Sequence, residues 1–370
     1  MRRGCGCDPQ VWQAPHNQKS KHVMKSYLAG LFVVALMASA VSAGAQSYNI
    51  TDRGAVSGQK VSKGYSLNDL GQAAGSSSNP SGAIATLFSN GKAINLGTLE
   101  PLDVAIATAL NGVGQVVGYE PFSSSPGNTF HAFLWSNGSM IDIHSASLFP
   151  GGTIAEGING SGVVVGQGQL TSSSFHAFLY ANGQMVDIGP PGTYQASAYA
   201  INDAGQVVGN SYVTGGEQTG FLYANGKVTS LGVPSGATAT SAVAINSTGQ
   251  IVGAIYLTTG GSHAALYNKG VWTDLGGIPG AAGTHATGIN TALQAVGIAV
   301  FPVTSYHPFK PGKHVGFIVR NGSLVDLNTL IPSNAGFTIT DAVGINDSGD
   351  ILCDATNTSG YEHAVMLTPK

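Results

Sequence analysis

Four histidines stand at the same place in a recurring phrase: His131 and His176 in "HAFL", His263 in "HAAL" and His363 in "HAVM". Imidazole is a common metal ligand, so the repetition raises the question of a metal centre. The spacing argues against one. Equivalent positions in successive repeats disperse the side chains, whereas zinc needs its ligands within about 2.1 Å of one point. The expected role is local, a histidine that opens a strand and bonds nearby. Asp142, Asp187, Asp274 and Asp326 follow at the next strand and are expected at turns or edges. A phrase "IND-x-G" could suggest a calcium loop, but only Asp69, Asp203 and Asp347 supply the acid. Gly112, Gly160, Ser247 and Thr291 stand there in the other copies, too few carboxylates for such a loop. "SGVVVGQG" and "GGIPGAAG" are glycine-rich, yet no helix follows them to hold a phosphate. No triad or paired-carboxylate motif stands out, so no catalytic residue, cofactor or metal is assigned.

Two sets of residues remain as candidate binding groups. One is the segment "IAVFPVTSYHPFKPGKHVG", which holds Phe301, Tyr306, His307, Phe309 and Lys310, with three prolines to stiffen it. The other comprises Lys63, Glu156, His285 and Asp341, polar residues on segments that read as innermost strands. Both depend on the frame that carries them.

That frame is a repeat. Seven phrases align on Asn68, Asn111, Asn159, Asn202, Asn246, Asn290 and Asn346, with copies such as "INDAGQVVG" and "INSTGQIVG". A period in the forties signals a repeat architecture. Each copy offers four short strands. Strand a precedes the Asn, b follows it, c is "HAFLY"-like and d is "QMVDIG"-like. The a–b link, Asn-x-x-Gly, is a tight-turn signal, and Asn-Gly between c and d is a hairpin signal. The expectation is an all-β, seven-bladed β-propeller of four-stranded antiparallel blades.

The seventh copy lacks strand d. The stretch "YNITDRG" from Tyr48 has the right pattern and no unit of its own, so it is expected to complete the last blade and hide open strand edges. Positions four and two before each Asn are small throughout, from Gly64 and Ser66 to Ala342 and Gly344. Alternation along a strand would place them on one face, toward a crowded axis. Positions five before the Asn, among them Lys63, His285 and Asp341, are expected to ring the channel mouth.

The paired "IN-x-x-GQVVG" and "HAFLY-x-NG" phrases resemble the HAF-type bacterial extracellular repeat family, over about Tyr48 to Lys370. The resemblance implies an exported propeller-type protein and carries no activity with it. Three departures bear on local turns: Gln294 in place of the turn Gly, Cys353 in place of the Gly ending strand b, and Val315 at the His position.

Residues 1–45 read as an N-terminal extension and signal peptide, and 46–370 as one propeller domain. Met24-Lys25 precedes an apolar run ending in Ala43-Gly44-Ala45, the pattern of secretory cleavage after Ala45. Met24 is a plausible alternative start. The apolar run is short for a bilayer span of roughly 20 residues. Past Ala45 there are 10 Lys and Arg against 17 Asp and Glu, a net charge of −7, which disfavours nucleic acid and anionic lipid as partners. Cys353 alone remains, so no intrachain disulfide forms.

The two halves of each repeat differ in variability. The a–b and c–d links are uniform, while b–c and d–a differ in every copy. Function is expected on the diverse face, where loops ride on a rigid scaffold. The reading is a secreted or periplasmic, monomeric, non-catalytic binding scaffold for a glycan or protein. The rival is a polysaccharide hydrolase or lyase at the channel mouth acting through Asp341, His285 or Glu156; two carboxylates converging there would favour glycosidase chemistry.

Overall fold

The computed structural model describes residues 47–101, 104–122, 129–213, 216–302, 305–306, 309–310 and 312–370. Apart from one short 3₁₀ turn, Leu327–Thr329, its regular elements are strands. Their order follows the repeat. Val61–Leu67, Ala73–Asn79, Gly82–Ser89 and Lys92–Asn95 form one antiparallel sheet in sequence order. Ile106–Leu110 through Ser139–Asp142 form the next in the same way. The third and fourth units are joined by one parallel bridge, Phe175 to Gln195, and the fifth and sixth by another, Ser262 to Gly283. The last sheet reads Tyr48–Asp52, Glu362–Pro369, Ile351–Asn357, Phe337–Ile345, so the first strand of the fold pairs with its last. Tyr48 stands opposite Pro369 and Asp52 opposite Val365. With strand a of every unit lining one central cavity, the arrangement is that of a β-propeller.

The repeated phrases are explained by contacts between strands a, b and c. The glycine ending "GQVVG" faces a backbone carbonyl of strand a. A Cβ on Gly209 would lie 2.0 Å from the Ser197 carbonyl oxygen, and one on Gly118 1.9 Å from that of Ile106. The "HAF" phenylalanine then packs over the bare glycine: the same Cβ positions would meet the ring of Phe221 at 2.8 Å and of Phe133 at 2.7 Å. In the seventh unit both residues change together. Cys353 replaces the glycine and pairs with the smaller Val365. Strand a there also carries a register shift between Ile339 and Asp341, and the sheet keeps its pairing. Gly209→Ala is therefore expected to cost about 3 kcal/mol by overpacking, read as a lowered urea midpoint. A cost well below 1 kcal/mol would mean that the strands shift to admit the methyl.

Every strand a also bulges at one place, three residues before its Asn. The register skips Tyr65, Thr108, Glu156, Tyr199, Val243, Thr287 and Val343. This corrects the expectation that the two small positions share a face. The flanking residues pair with consecutive partners, Ala155 with Gly166 and Gly157 with Val165, so they point oppositely. The earlier one faces the preceding unit: a Cβ on Gly64 would lie 2.7 Å from Leu352. The later one faces the following unit: a Cβ on Gly288 would lie 2.9 Å from the Gly344 Cα. Small residues recur because each inner strand is pressed from both sides.

Candidate functional site: the central cavity

The a–b turn is built by its asparagine. Asn202 Oδ1 accepts from Gln206 N at 3.0 Å, while its Nδ2 donates to Gln206 Oε1 at 2.8 Å and to the Asn246 carbonyl at 3.0 Å. The last bond leaves the unit. Asn68 donates in the same way to Asn111, Asn111 to Asn159, Asn159 to Asn202, Asn246 to Asn290 and Asn290 to Asn346. Asn346 Nδ2 donates to the Asn68 carbonyl at 3.2 Å, which returns the chain of bonds to its start. The sequence suggested a turn cap; the amide also ties each unit to the next. The turn glycine is replaced by Leu293, which takes the left-handed conformation at φ 61°. Gln294 is one residue further on and occupies the usual Gln position, which corrects the alignment of that turn.

Above this belt the bulge residues turn inward. They line a cavity of about 440 Å³ with Leu67, Leu110, Ile158, Ile201, Ile245, Ile289 and Ile345. Those aliphatic residues also line a second cavity of about 490 Å³ on the asparagine side. They form an apolar girdle between the two spaces. The bulge is the device that aims a side chain at the axis, as bulges beside functional sites do. Nothing in a single copy of the phrase announces it; the signal was that the residue three before each Asn is unconstrained in size while both neighbours are small.

Glu156 is the acid of the upper cavity. Burial lifts its carboxyl to about 7. Among the described residues it receives one long hydrogen bond, Gln167 Nε2 to Oε1 at 3.4 Å. Gln167 Oε1 in turn accepts from Ser197 Oγ at 2.7 Å. Tyr199, on the neighbouring bulge, has its phenol raised by burial, as does Tyr119 near Tyr65 and Glu156. Thr108 and Thr287 spend their hydroxyls on carbonyls of the next unit, Ala155 and Ala342, both at 2.7 Å. With Val243 and Val343 they leave the rest of the wall apolar.

The other channel-mouth candidates do not line this cavity. Lys63 pairs with Glu362 at 3.1 Å. His285 Nε2 lies 3.1 Å from Ser262 Oγ, and burial lowers its imidazole pKa. Asp341 Oδ1 lies 3.0 Å from His314 Nδ1. Lys63 and Asp341 flank a second buried acid that sequence reasoning missed. Asp354 Oδ1 accepts from Gly64 N at 2.9 Å, and burial lifts its carboxyl to about 7. It does for the seventh and first units what Asn210 does for the fourth and fifth, where Oδ1 accepts from Ala242 N at 2.8 Å.

Tyr194 and Tyr212 have ring centroids 6.4 Å apart, and Tyr256 and His285 6.0 Å. In the segment singled out above, Ser305–Tyr306 and Phe309–Lys310 form a small hairpin with Tyr306 paired to Phe309. Phe301 packs against the core around Val315 and Phe317, and His307 lies outside the described residues. The repeated histidines make local clamps: His131 to Asp142 and His176 to Asp187 at 2.8 Å, His263 to Asp274 at 2.9 Å. His363 reaches Asp52 of the first strand at 2.9 Å. Each of these aspartates also caps its own turn, as Asp187 does with Gly189 N at 2.7 Å. Among the described residues no helix is long and apolar enough to cross a membrane. The expected signal peptide lies outside them.

No protein-family model matches the chain, and no curated protein matches it. Solved structures do. A prolyl endopeptidase, 10% identical, matches 95% of this chain and 56% of its own, with a TM-score of 0.53. An oligogalacturonate lyase of Vibrio parahaemolyticus, also 10% identical, matches 87% of this chain and 97% of its own, with a TM-score of 0.50. The β-propeller domain of the Trilobed protease from Pyrococcus furiosus, 9% identical, matches 84% and 95%, with a TM-score of 0.48. The chain thus spans little more than half of the prolyl endopeptidase. At these identities the likeness bears on the fold alone.

Proposed function

We propose that this is an exported, seven-bladed propeller, completed by its N-terminal strand, that binds a glycan on its variable face without catalysis. The observation that carries the reading is the cavity wall. One carboxyl, Glu156, stands among tyrosine and amide groups, with no second carboxylate among the described residues lining the same space. Glycoside hydrolysis by paired acids requires two, about 5–10 Å apart. A polar arc with aromatic faces and a rigid frame suits binding instead. Blade count and closure are supported by the pairing of Tyr48–Asp52 with Glu362–Pro369, the His363–Asp52 clamp and the Asn346–Asn68 bond. The HAF-type resemblance and the apolar run before Ala45 support export.

A glycan array probed with the chain beginning after Ala45 tests the function. Binding of a defined set of saccharides, with no release of reducing ends over long incubation, is expected. Steady product release would establish the hydrolase or lyase reading. Absence of any glycan signal would turn the search to protein partners. Tyr306→Ala/Phe309→Ala separates the hairpin from the channel, since loss of binding there would place the ligand on the loop.

A further inference from the structure

We infer that the upper cavity is an end-on site for the terminal residue of a neutral saccharide, held by Glu156 and Tyr199 over the aliphatic girdle. The inference rests on the glycan reading above and adds where and how the chain is held. Three observations lead to it. First, the cavity is an end pocket. The girdle from Leu67 to Ile345 narrows the channel at its base, and the belt of asparagine amides lies beyond. A polymer can present its tip to such a space but not lie across it. A volume of about 440 Å³ is at the small end of the range for organic ligands, which suits one or two sugar rings.

Second, the wall is divided. Tyr65, Glu156 and Tyr199 face the cavity from one side, and Val243, Thr287 and Val343 from the other. The Thr287 hydroxyl is already committed to the Ala342 carbonyl. A sugar ring has the matching character, with hydroxyls at its edge and C–H groups on its faces. Third, the Glu156 carboxyl is mostly buried yet holds only a long bond to Gln167. Buried polar groups are ordinarily hydrogen-bonded, and a ligand hydroxyl supplies what the protein leaves out. The same wall excludes acidic sugars. Among the described residues no Lys or Arg lines the cavity, and Lys63 nearby is already paired with Glu362. At pH 8, the pH of the test below, Glu156 is ionised and an entering carboxylate would meet a like charge without a counter-charge.

The test uses the chain beginning after Ala45 and calorimetric titration at pH 8 with glucose, galactose, mannose, N-acetylglucosamine and their disaccharides. Galacturonic acid serves as the acidic control. At least one neutral sugar is expected to bind and galacturonic acid is not. Glu156→Gln and Tyr199→Phe should each weaken binding about tenfold, the cost of one hydrogen bond of about 1.4 kcal/mol. Val243→Trp should fill the cavity and abolish binding. A thermal midpoint near that of the parent shows that the variant has folded. Should that bulky variant destabilise the protein, Val343→Phe takes its place. Glycans that still bind after the cavity is filled would overturn the end-on site and leave the glycan reading intact. Tighter binding of galacturonic acid than of every neutral sugar would overturn the assigned ligand class. Failure of the parent protein to bind any glycan, here and on the array, would overturn both.

Discussion

A chain that begins at Gly54, and so lacks Tyr48–Asp52, is expected to lose its cooperative fold near room temperature. The strand contributes more than its five register pairs. Tyr48 is fully buried in the cluster of Ile318, Leu327, Ile339 and Val365. Its hydroxyl accepts from Arg320 Nη2 at 3.2 Å. Truncating such a ring alone costs about 3–5 kcal/mol, so Tyr48→Ala already consumes much of the 5–15 kcal/mol that holds a typical domain together. Full deletion adds loss of the His363–Asp52 clamp and leaves Glu362–Pro369 as an open edge. Such edges recruit other strands, so the truncated chain is expected to aggregate. Urea unfolding followed by circular dichroism, with light scattering, reads both effects. A peptide spanning Ser47–Gly54 added in trans should restore part of the urea midpoint. A truncated chain that unfolds at the parent's midpoint would rule out closure by this strand.

The period, the strands of each unit and the pairing of the N-terminal segment with the last strand were legible in the sequence because each is a pattern of residue types. Asn-x-x-Gly demands a turn wherever it occurs, and "YNITD" looks like the other outer strands. The candidate site was less legible. The sequence placed Lys63, His285 and Asp341 near the axis because they begin the innermost strands, and put the small residues four and two before each asparagine on one face by counting alternate residues. The bulge three before each asparagine breaks that count, so the inward residues became Tyr65, Glu156, Tyr199 and their equivalents. A bulge is a property of how two strands pair, and one strand's residue types do not encode it. The link from one asparagine amide to the next was hidden for a similar reason. It joins residues 43 to 56 positions apart, and 278 for Asn346 to Asn68, separations that only the packing of one unit on another brings together. Glu156 was named because it is acidic. Its importance comes from neighbours such as Gln167 and Tyr199, which lie in other strands.

Those neighbours make Glu156 a group whose contribution to stability is lost as pH rises from about 4 to 8. Glu156 sits at the cavity wall with Tyr119, Tyr199 and Gln167 around it, and among the described residues no cation lies against it. Burial lifts its folded carboxyl to about 7, from an ordinary value of 4.5. Asp354 is lifted to about 7 from 3.8, with Lys63 pulling it down and Glu362 and Asp341 pushing it up. Between the two values of each group the native state holds a proton that the unfolded chain has released. The contribution of these two carboxyls therefore falls with pH across that window and stays low above pH 7, while His144 and His285, whose imidazoles burial holds below 6.5, contribute in the opposite sense as pH rises toward 6.5. The shifts correspond to roughly 4 kcal/mol for Asp354 and roughly 3 for Glu156, less for Glu156 because the cavity still admits water. Glu156→Gln keeps the shape and removes the ionisation, so it should be near-neutral at pH 4.5 and stabilise by about 2 kcal/mol at pH 8. Asp354→Asn should behave likewise, since its oxygen still accepts from Gly64 N as Asn210 does from Ala242 N. Unfolding midpoints in urea at pH 4.5, 6 and 8 for parent, single and double variants measure this directly. A double variant whose stability changes with pH as the parent's does would mean that neither carboxyl is protonated in the folded protein. With both groups removed the double variant should gain on the parent as pH rises from 4.5 to 8, and the sites are independent enough for the two gains to add.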